Sequence, residues 1–578
     1  MKKNNRTILL IIFLLGIFIG ALDTGIVSPA RTVIASQLSI SSSSSVWIVT
    51  IYTLAYAVSM PIAGKFSDRY GKKRVFTLSI ALFGIGSLLC GVSNYAGSFS
   101  FLLTARVIQA LGGGGIMPVA TAYIGESFPI EKKGSALGLV GAIYGISTTL
   151  GPTVGSALLN LVGNSNWGVL FLINVPICIG VIITALIVKD EGVLKEPKKL
   201  DVLGSIVVTI LILALMYALT NLQFHDFRNS IASTKVWPYL LIFIVLLPIF
   251  IVVEKKSLDP ILNLKYFTNK EIALTLLISF ITGAGMMGIV FVPQFGENAL
   301  KLKTGSGGYL VTLMAIFSGV SAPLGGKLVD KYSPKLVLSM GFASTLIGSS
   351  TLAFIVAKNP SFISLLIGLA FIGLGMGFCM GTPLNYLMQT NVDPSETASA
   401  QSTLSLIRSI GVAISPNILI GFISEAGKNI SPKLMAILPK VTIPGSNAAV
   451  SMTQGGSSSI SSDQLAALQN ADVTTITDVL KQFSSSMIDK FSPMLKQQLQ
   501  NSKLPKGVTA DTLVAQWKSD YLSQIDTLRS SIENVFQSTL NEGFSKLFLG
   551  AAVIALLGLI FTLLLSKKNK PAATHQEF

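Results

Sequence analysis

Gly64-Lys65-Phe66-Ser67-Asp68-Arg69-Tyr70-Gly71-Lys72-Lys73-Arg74 sets five cations and one acid between two long apolar runs. A charged knot this short cannot lie in hydrocarbon, so it reads as a tight turn at a membrane face joining two spanning helices. Its surplus of Lys and Arg assigns that face to the cytoplasm. Gly64 and Gly71 allow the sharp backbone and close approach that a short turn needs. Asp68, one acid among cations and near helix ends, has both charge partners and backbone amides on which to dock.

A faded copy lies further along. Gly326-Lys327-Leu328-Val329-Asp330-Lys331-Tyr332-Ser333-Pro334-Lys335 repeats the Gly, Lys, Asp, Tyr and final Lys, with an Asp-to-Asp offset of 330 − 68 = 262. A basic turn obeying the charge rule would explain the cations but not the Gly and Asp spacing occurring twice. A chain built of two related halves explains both.

The composition supports a polytopic membrane protein: 51% hydrophobic, 12% charged and mean hydropathy +0.66, where a soluble domain carries about 25% charge. The net charge of +16 is spread over short loops, so it marks topology and not a nucleic-acid surface. Cys90, Cys178 and Cys379 fall in apolar runs without pair spacing, which indicates neither a disulfide framework nor a metal site. The two histidines, His225 in a loop and His575 in the tail, leave any proton chemistry inside the membrane to carboxylates.

At about 20 apolar residues per span, about fourteen helices follow, from 7–29 to 544–566, with 272–293 and 401–424 among them. Spanning segments begin at once and Asp23 interrupts the place where a cleavage site would lie, so the basic N-terminus reads as a first span and not a signal peptide. An even count puts both termini in the cytoplasm, and Lys567, Lys568 and Lys570 agree. One expected inner loop, Thr390 to Ala400, has no Lys or Arg. The organisation is then a six-helix half over 1–190, a connector and two inserted spans over 191–256, and five helices of a second half over 257–425. An insertion over 426–543 and a last span with its tail over 544–578 complete the chain.

The insertion opens with a Pro-, Ser- and Gly-rich part that reads as flexible. Leu465, Leu468, Val473, Ile476, Leu480, Phe483 and onward to Leu499 form one apolar stripe, with Pro493 expected to kink or end the helix. Leu513 to Leu540 forms a second that runs into the last span, so an antiparallel helical hairpin outside the membrane is expected. Long loops are exempt from the charge rule, which allows an external position.

Asp23 is the sole acid well inside an expected span. An unpaired carboxylate there costs about 2.5–3.5 kcal/mol on insertion scales, so it should face the interior and meet a cation. Such a group can take up and release a proton as its surroundings change, which is what proton coupling requires; a purely structural ion pair is the alternative. Arg106 and Arg408 are the candidate partners. Arg31 lies eight residues beyond Asp23, about 12 Å along a helix, too far to pair directly, and is placed with Asp23 and Gln109 at a substrate cavity.

The stretch around Asp68 resembles the signature loop between the second and third helices of the major facilitator superfamily of secondary transporters. Arg106 with Gln109, Gly112 and Gly113 is similar to that family's fourth-helix motif, and Arg408 occupies a spot like the Arg of its penultimate helix. Gly141, Gly145, Gly151, Pro152 and Gly155 resemble the antiporter motif, with Ser156 at the last place. Leu22-Asp23-Thr24 and Trp167 to Asn174-Val175-Pro176 resemble the fourteen-span drug:proton antiporter branch, with Gly168 replacing the usual Arg.

The resemblance implies two six-helix bundles with two extra central helices, and no cofactor beyond a proton gradient. It implies gating by Gly64, Asp68, Arg69, Gly71, Lys72 and Lys73, with a hinge or seal at Gly145, Gly151, Pro152 and Gly155. The implied activity is export of small amphipathic compounds from a cell membrane. Arg31, the stretch from Trp47 to Pro61 and the insertion also look like lipid-exporting members of the branch. A scaffold displaying the insertion to a cell-envelope partner is a third reading. No nucleophile, base and orienter occur together, which disfavours an enzyme.

Overall fold

The computed structural model describes residues 3–188, 201–286, 291–300, 307–438, 441–442, 449–450, 473–500 and 509–566. It is all-helical apart from a two-residue antiparallel ladder pairing Val441 with Val450. The first half comprises α1 (Lys3–Gln37), α2 (Trp47–Tyr70), α3 (Lys72–Ala96), α4 (Phe99–Ser127), α5 (Ile130–Val162) and α6 (Asn174–Ile187). Then come the inserted pair, α7 (Val202–Asn221) and α8 (Trp237–Lys256). The second half holds α9 (Lys270–Met286), α10 (Gly308–Lys331), α11 (Pro334–Thr351), α12 (Phe362–Met380) and α13 (Thr397–Ile437).

Thirteen described helices are long and apolar enough to cross a membrane. Of the expected span at 272–293, α9 is described as far as Met286, 287–290 lie outside the described residues, and a further helix, Val292–Ala299, follows. The halves repeat one packing scheme. α5 lies on α1 as α13 lies on α9, and α3 lies on α4 as α11 lies on α12. The most extensive contacts across the seam between them are α5 with α10 and α2 with α13, and α4 also meets α13. The inserted pair leans on one side of that seam, where Leu54, Val58, Val208, Leu211 and Leu406 share a core and Lys65 pairs with Asp259. Exposed apolar side chains such as Leu186, Ile187, Ile244 and Ile363 line the outside, as lipid-facing helices require.

The insertion is built on the ends of the helices that carry it. α13 is 41 residues long and continues to Ile437, well past the end drawn at 424. α14 (Val473–Gln500) runs antiparallel to α15 (Ala510–Thr527), and the ion pairs Lys481–Asp526, Lys518–Asp489 and Lys496–Asp511 set the register. A break at Leu528 separates α15 from α16 (Arg529–Leu563), the last span. Ile430 and Leu434 of α13 join Leu480, Ile488, Tyr521, Ile525, Ile532 and Phe536 in one apolar core, so the hairpin is packed and not merely tethered. Pro493 lies inside α14 without ending it. The expected start of the first stripe, Leu465 and Leu468, and most of the Pro-, Ser- and Gly-rich part lie outside the described residues.

Candidate functional site

Asp23 is fully buried inside the first half. Its Oδ2 accepts from Arg106 Nη1 at 2.8 Å, and its Oδ1 from Gln109 Nε2 at 2.8 Å and Asn174 Nδ2 at 3.0 Å. Gln109 also donates to the Ser87 hydroxyl at 2.8 Å and accepts from Arg106 Nη1 at 2.6 Å. The guanidinium donates to the Ile48 carbonyl and lies 4.0 Å from the centre of the Tyr52 ring. Helices α1, α2, α3, α4 and α6 therefore converge on one carboxylate. A buried charge is tolerated when its lone pairs are filled this completely.

Of the two candidate partners, Arg106 meets Asp23 and Arg408 does not. Gln109 and Asp23, expected at a substrate cavity, are both fully buried, while Arg31 is exposed. Asn174, Ser87 and Tyr52 complete the site without having been singled out. Asn174 had a signal, since it is an amide inside an apolar span ahead of Pro176.

The antiporter-motif residues connect this site to the seam. A Cβ on Gly151 would press on Gly25 of α1, just past Asp23, and one on Gly25 would lie 3.0 Å from Pro152 Cδ. Further along α5, a Cβ on Gly145 would lie 3.0 Å from Ser318 Oγ of α10, in the other half. Gly155 is buried on the same helix.

The two charged loops form a matched pair of latches. Asp68 Oδ1 accepts from the Ala398 N–H at 2.9 Å, and its Oδ2 accepts from the Ser399 N–H at 2.7 Å and hydroxyl at 2.6 Å. Asp330 repeats this on Gly134 and Ser135, at 2.6, 2.8 and 2.6 Å. Each half thus docks a carboxylate on N–H groups of a helix of the other half, for Asp68 in the first turn of α13, where the helix dipole favours negative charge, and for Asp330 just past the first turn of α5. Gly64 and Gly326 let the backbones cross this closely, because a Cβ on Gly64 would strike Ser402 and the Ala398 carbonyl, and one on Gly326 would strike Gly134.

The other loop residues support the first latch from their own half. Lys72 bridges Asp68 at 3.6 Å and Glu126 at 3.0 Å, Lys73 donates to the Val188 carbonyl, and Gly71 takes φ 95° between α2 and α3. Arg69 stacks on Tyr70 with Nε and Nη1 unpartnered among the described residues. Behind Ser399, Glu396 accepts from Asn263 at 2.9 Å and Tyr266 at 3.0 Å. Burial, and then the Glu396 carboxylate, hold the Tyr266 phenol above its ordinary range, so it stays a donor.

The serines that receive the latches were missed because a backbone N–H has no residue signature. A signal existed nonetheless. Pro-x-Glu followed shortly by Ser-Ala occurs at Pro129 to Ala136 and again at Pro394 to Ala400, offset 399 − 135 = 264 between the serines. The loop from Thr390 to Ala400, without a cation, is the one that receives Asp68.

Residues 13–416 match the model of the Major Facilitator Superfamily. The chain belongs to that superfamily of transporters. It is 37% identical to an uncharacterized MFS-type transporter of Bacillus subtilis, YfiU, over 73% of this chain and 81% of that one. It is 30% identical to Multidrug resistance protein 3 of the same organism, over 72% and 78%. Among solved structures, the human organic anion transporter MFSD10 superposes with a TM-score of 0.53 at 11% identity, over 72% of this chain and 93% of that one, a likeness of fold alone. The superfamily's transporters are not enzymes, and the repeated latches and paired halves are what such a multi-pass fold supplies to this member.

Proposed function

We propose that this transporter is a proton-coupled exporter in the plasma membrane, with both termini in the cytoplasm, moving amphipathic or hydrophobic compounds outward by alternating access. The observation that carries the reading is the Asp23 carboxylate, fully buried and held by one guanidinium and two amides. Protonation would remove the charge that Arg106 pairs with and loosen α1 from α4. α1 lies on α5 at Gly25 and Gly151, and α5 crosses to the other half at Ser318, so a proton at Asp23 acts on the seam where the halves rock. Relatives named for multidrug resistance support a drug-like cargo.

The latches belong to one end of the cycle. Asp68 sits at the first turn of α13 and the insertion at its other end, about 60 Å away along a helix of that length. With the latches on the cytoplasmic face, the insertion stands outside. It is then free to meet membrane lipid or a partner in the cell envelope.

One observation favours a second reading, the export of a lipid or glycolipid. α13 and α16 extend past the bundle and share the insertion's apolar core, so the insertion is packed directly on two of the spans. Purified protein in liposomes with an imposed pH gradient, offered a dye and a labelled lipid in parallel, tests both. Gradient-driven dye movement that survives deletion of 430–540 supports drug export, and lipid movement lost with that deletion supports the second reading. Movement of neither cargo removes transport and leaves a scaffold that displays the insertion.

A further inference from the structure

Arg408 is 6% exposed, and its side chain makes no hydrogen bond to any described residue. Its bare donors are Nε and Nη2, the two that lie side by side on one edge of a guanidinium. That edge presents two parallel N–H groups at the spacing of two oxygens on a carboxylate or phosphate. A buried guanidinium kept for structure is paired with an acid or capped by carbonyls, as Arg106 is. Arg408 has neither among the described residues.

Its position is equally specific. The stem of Arg408 lies against α9 at Gly283, where an added Cβ would come 3.2 Å from its Cγ. Tyr56 on α2 and Tyr144 on α5, both in the other half, lie within electrostatic range of it. Tyr144 is its counterpart in the repeat: each lies nine residues past its latch serine, since 408 − 399 and 144 − 135 are both 9. Nine residues of helix is about 13 Å below the latch face, near the middle of a bilayer core. This is the seam between the repeats at mid-depth, where alternating access uncovers a site.

We propose that Arg408 receives the anionic head of the transported amphiphile, a phosphate or carboxylate. The proposal rests on the exporter reading and narrows it from amphipathic compounds in general to anionic ones. The head is held by two charge-assisted hydrogen bonds on the guanidinium edge, and the apolar tail lies among the spans. The proton site at Asp23 and the cargo site at Arg408 are then separate, on opposite sides of the seam.

Binding of octyl phosphate, octanoate and octyltrimethylammonium to the full chain in nanodiscs of neutral lipid tests this, because the probes share a tail and differ in the head. The expected result is octyl phosphate bound about tenfold or more tightly than octyltrimethylammonium, with octanoate on the anionic side. Arg408→Gln should abolish that preference while leaving octyltrimethylammonium unchanged, and Arg408→Lys should keep part of it because the charge remains without the fork. Equal binding of the three heads by the unmodified protein overturns the proposal without any variant, as does an undiminished anion preference in Arg408→Gln. The exporter reading fails separately: anion binding with no gradient-driven movement of any probe in liposomes sinks export, whereas movement of octyltrimethylammonium without anion binding sinks only the site at Arg408.

Discussion

In the first half, polar side chains from α3, α4 and α6 form one hydrogen-bonded cluster around Asp23 of α1. At the matching place in the second half, offset 285 − 23 = 262 as the latch acids are, stands Gly285. Gly285 borders a small, mostly apolar cavity with Thr345, Met376, Cys379 and Ala555, and where a Cβ on Gly86 would meet Gln109, one on Gly348, 262 residues further on, would meet the apolar Ile372. The latches show the opposite relation, with three hydrogen bonds to a Ser and its preceding residue in both copies. Symmetry is thus kept where the halves must close on each other and dropped where a charge is stored. Closing one face needs equal work from both halves, whereas the proposed proton site, in a single half, would let one event tilt the whole.

The largest expected effect breaks the asymmetry. Asp23→Asn removes the titratable group while leaving an oxygen for Arg106, so part of the roughly 3–5 kcal/mol cost of orphaning a buried ion is avoided and folded protein should be recovered. Gradient-driven transport should fall about a hundredfold or more, while exchange of cargo down its own gradient persists. A variant that still concentrates cargo against a gradient would show that the polar core of the first half is structural and that the difference between the halves has no energetic meaning.

A smaller effect sharpens the symmetric side. Each latch comprises three hydrogen bonds to a carboxylate, and replacing the acid by Asn sets an amide N–H against backbone N–H donors, at a cost of about 2–4 kcal/mol. Asp68→Asn and Asp330→Asn should each shift the population toward opening of the latch face about tenfold or more, and by similar amounts. Spin labels at exposed Tyr70 and Tyr332, one at the latch end of each half, report the separation. Opening by one variant and not the other would mean that the faded loop is a remnant and not a working copy.

Much of this was legible in the chain, for reasons that differ by residue. Asp68 and its repeat stood out because a charge between apolar runs has few places to go, and Asp23 and Arg106 because a charge within one must find a partner. Asn174 and Ser87 did not, since uncharged polar residues cost little in a span and nearly uniform hydrophobicity hides the rotation of each helix. Arg408 was read as a partner for Asp23 because sequence sets depth along a helix but not the side of the seam it faces. The hairpin's antiparallel pairing followed from its stripes, while its register and its packing on α13 did not, the latter because the helix was drawn to end with its apolar run.

The smallest expected effect tests whether the second half has room for the charge it lacks. Among the described residues a Cβ on Gly285 would touch only Ile554, at 3.9 Å, an ordinary contact, so Gly285→Ala fills space already present. Replacing Gly by Ala in a helix that can accept it narrows the unfolded ensemble and should stabilise by about 0.4–1 kcal/mol, read as a slightly raised thermal midpoint with transport unchanged. Two residues earlier, the same change at Gly283 drives a Cβ onto the Arg408 backbone and stem, so Gly283→Ala should lower the midpoint and weaken cargo binding. If Gly285→Ala is instead the damaging one, the cavity is not spare volume but space that α9 and α16 need as the halves move, and the plain interior of the second half is then part of the machine.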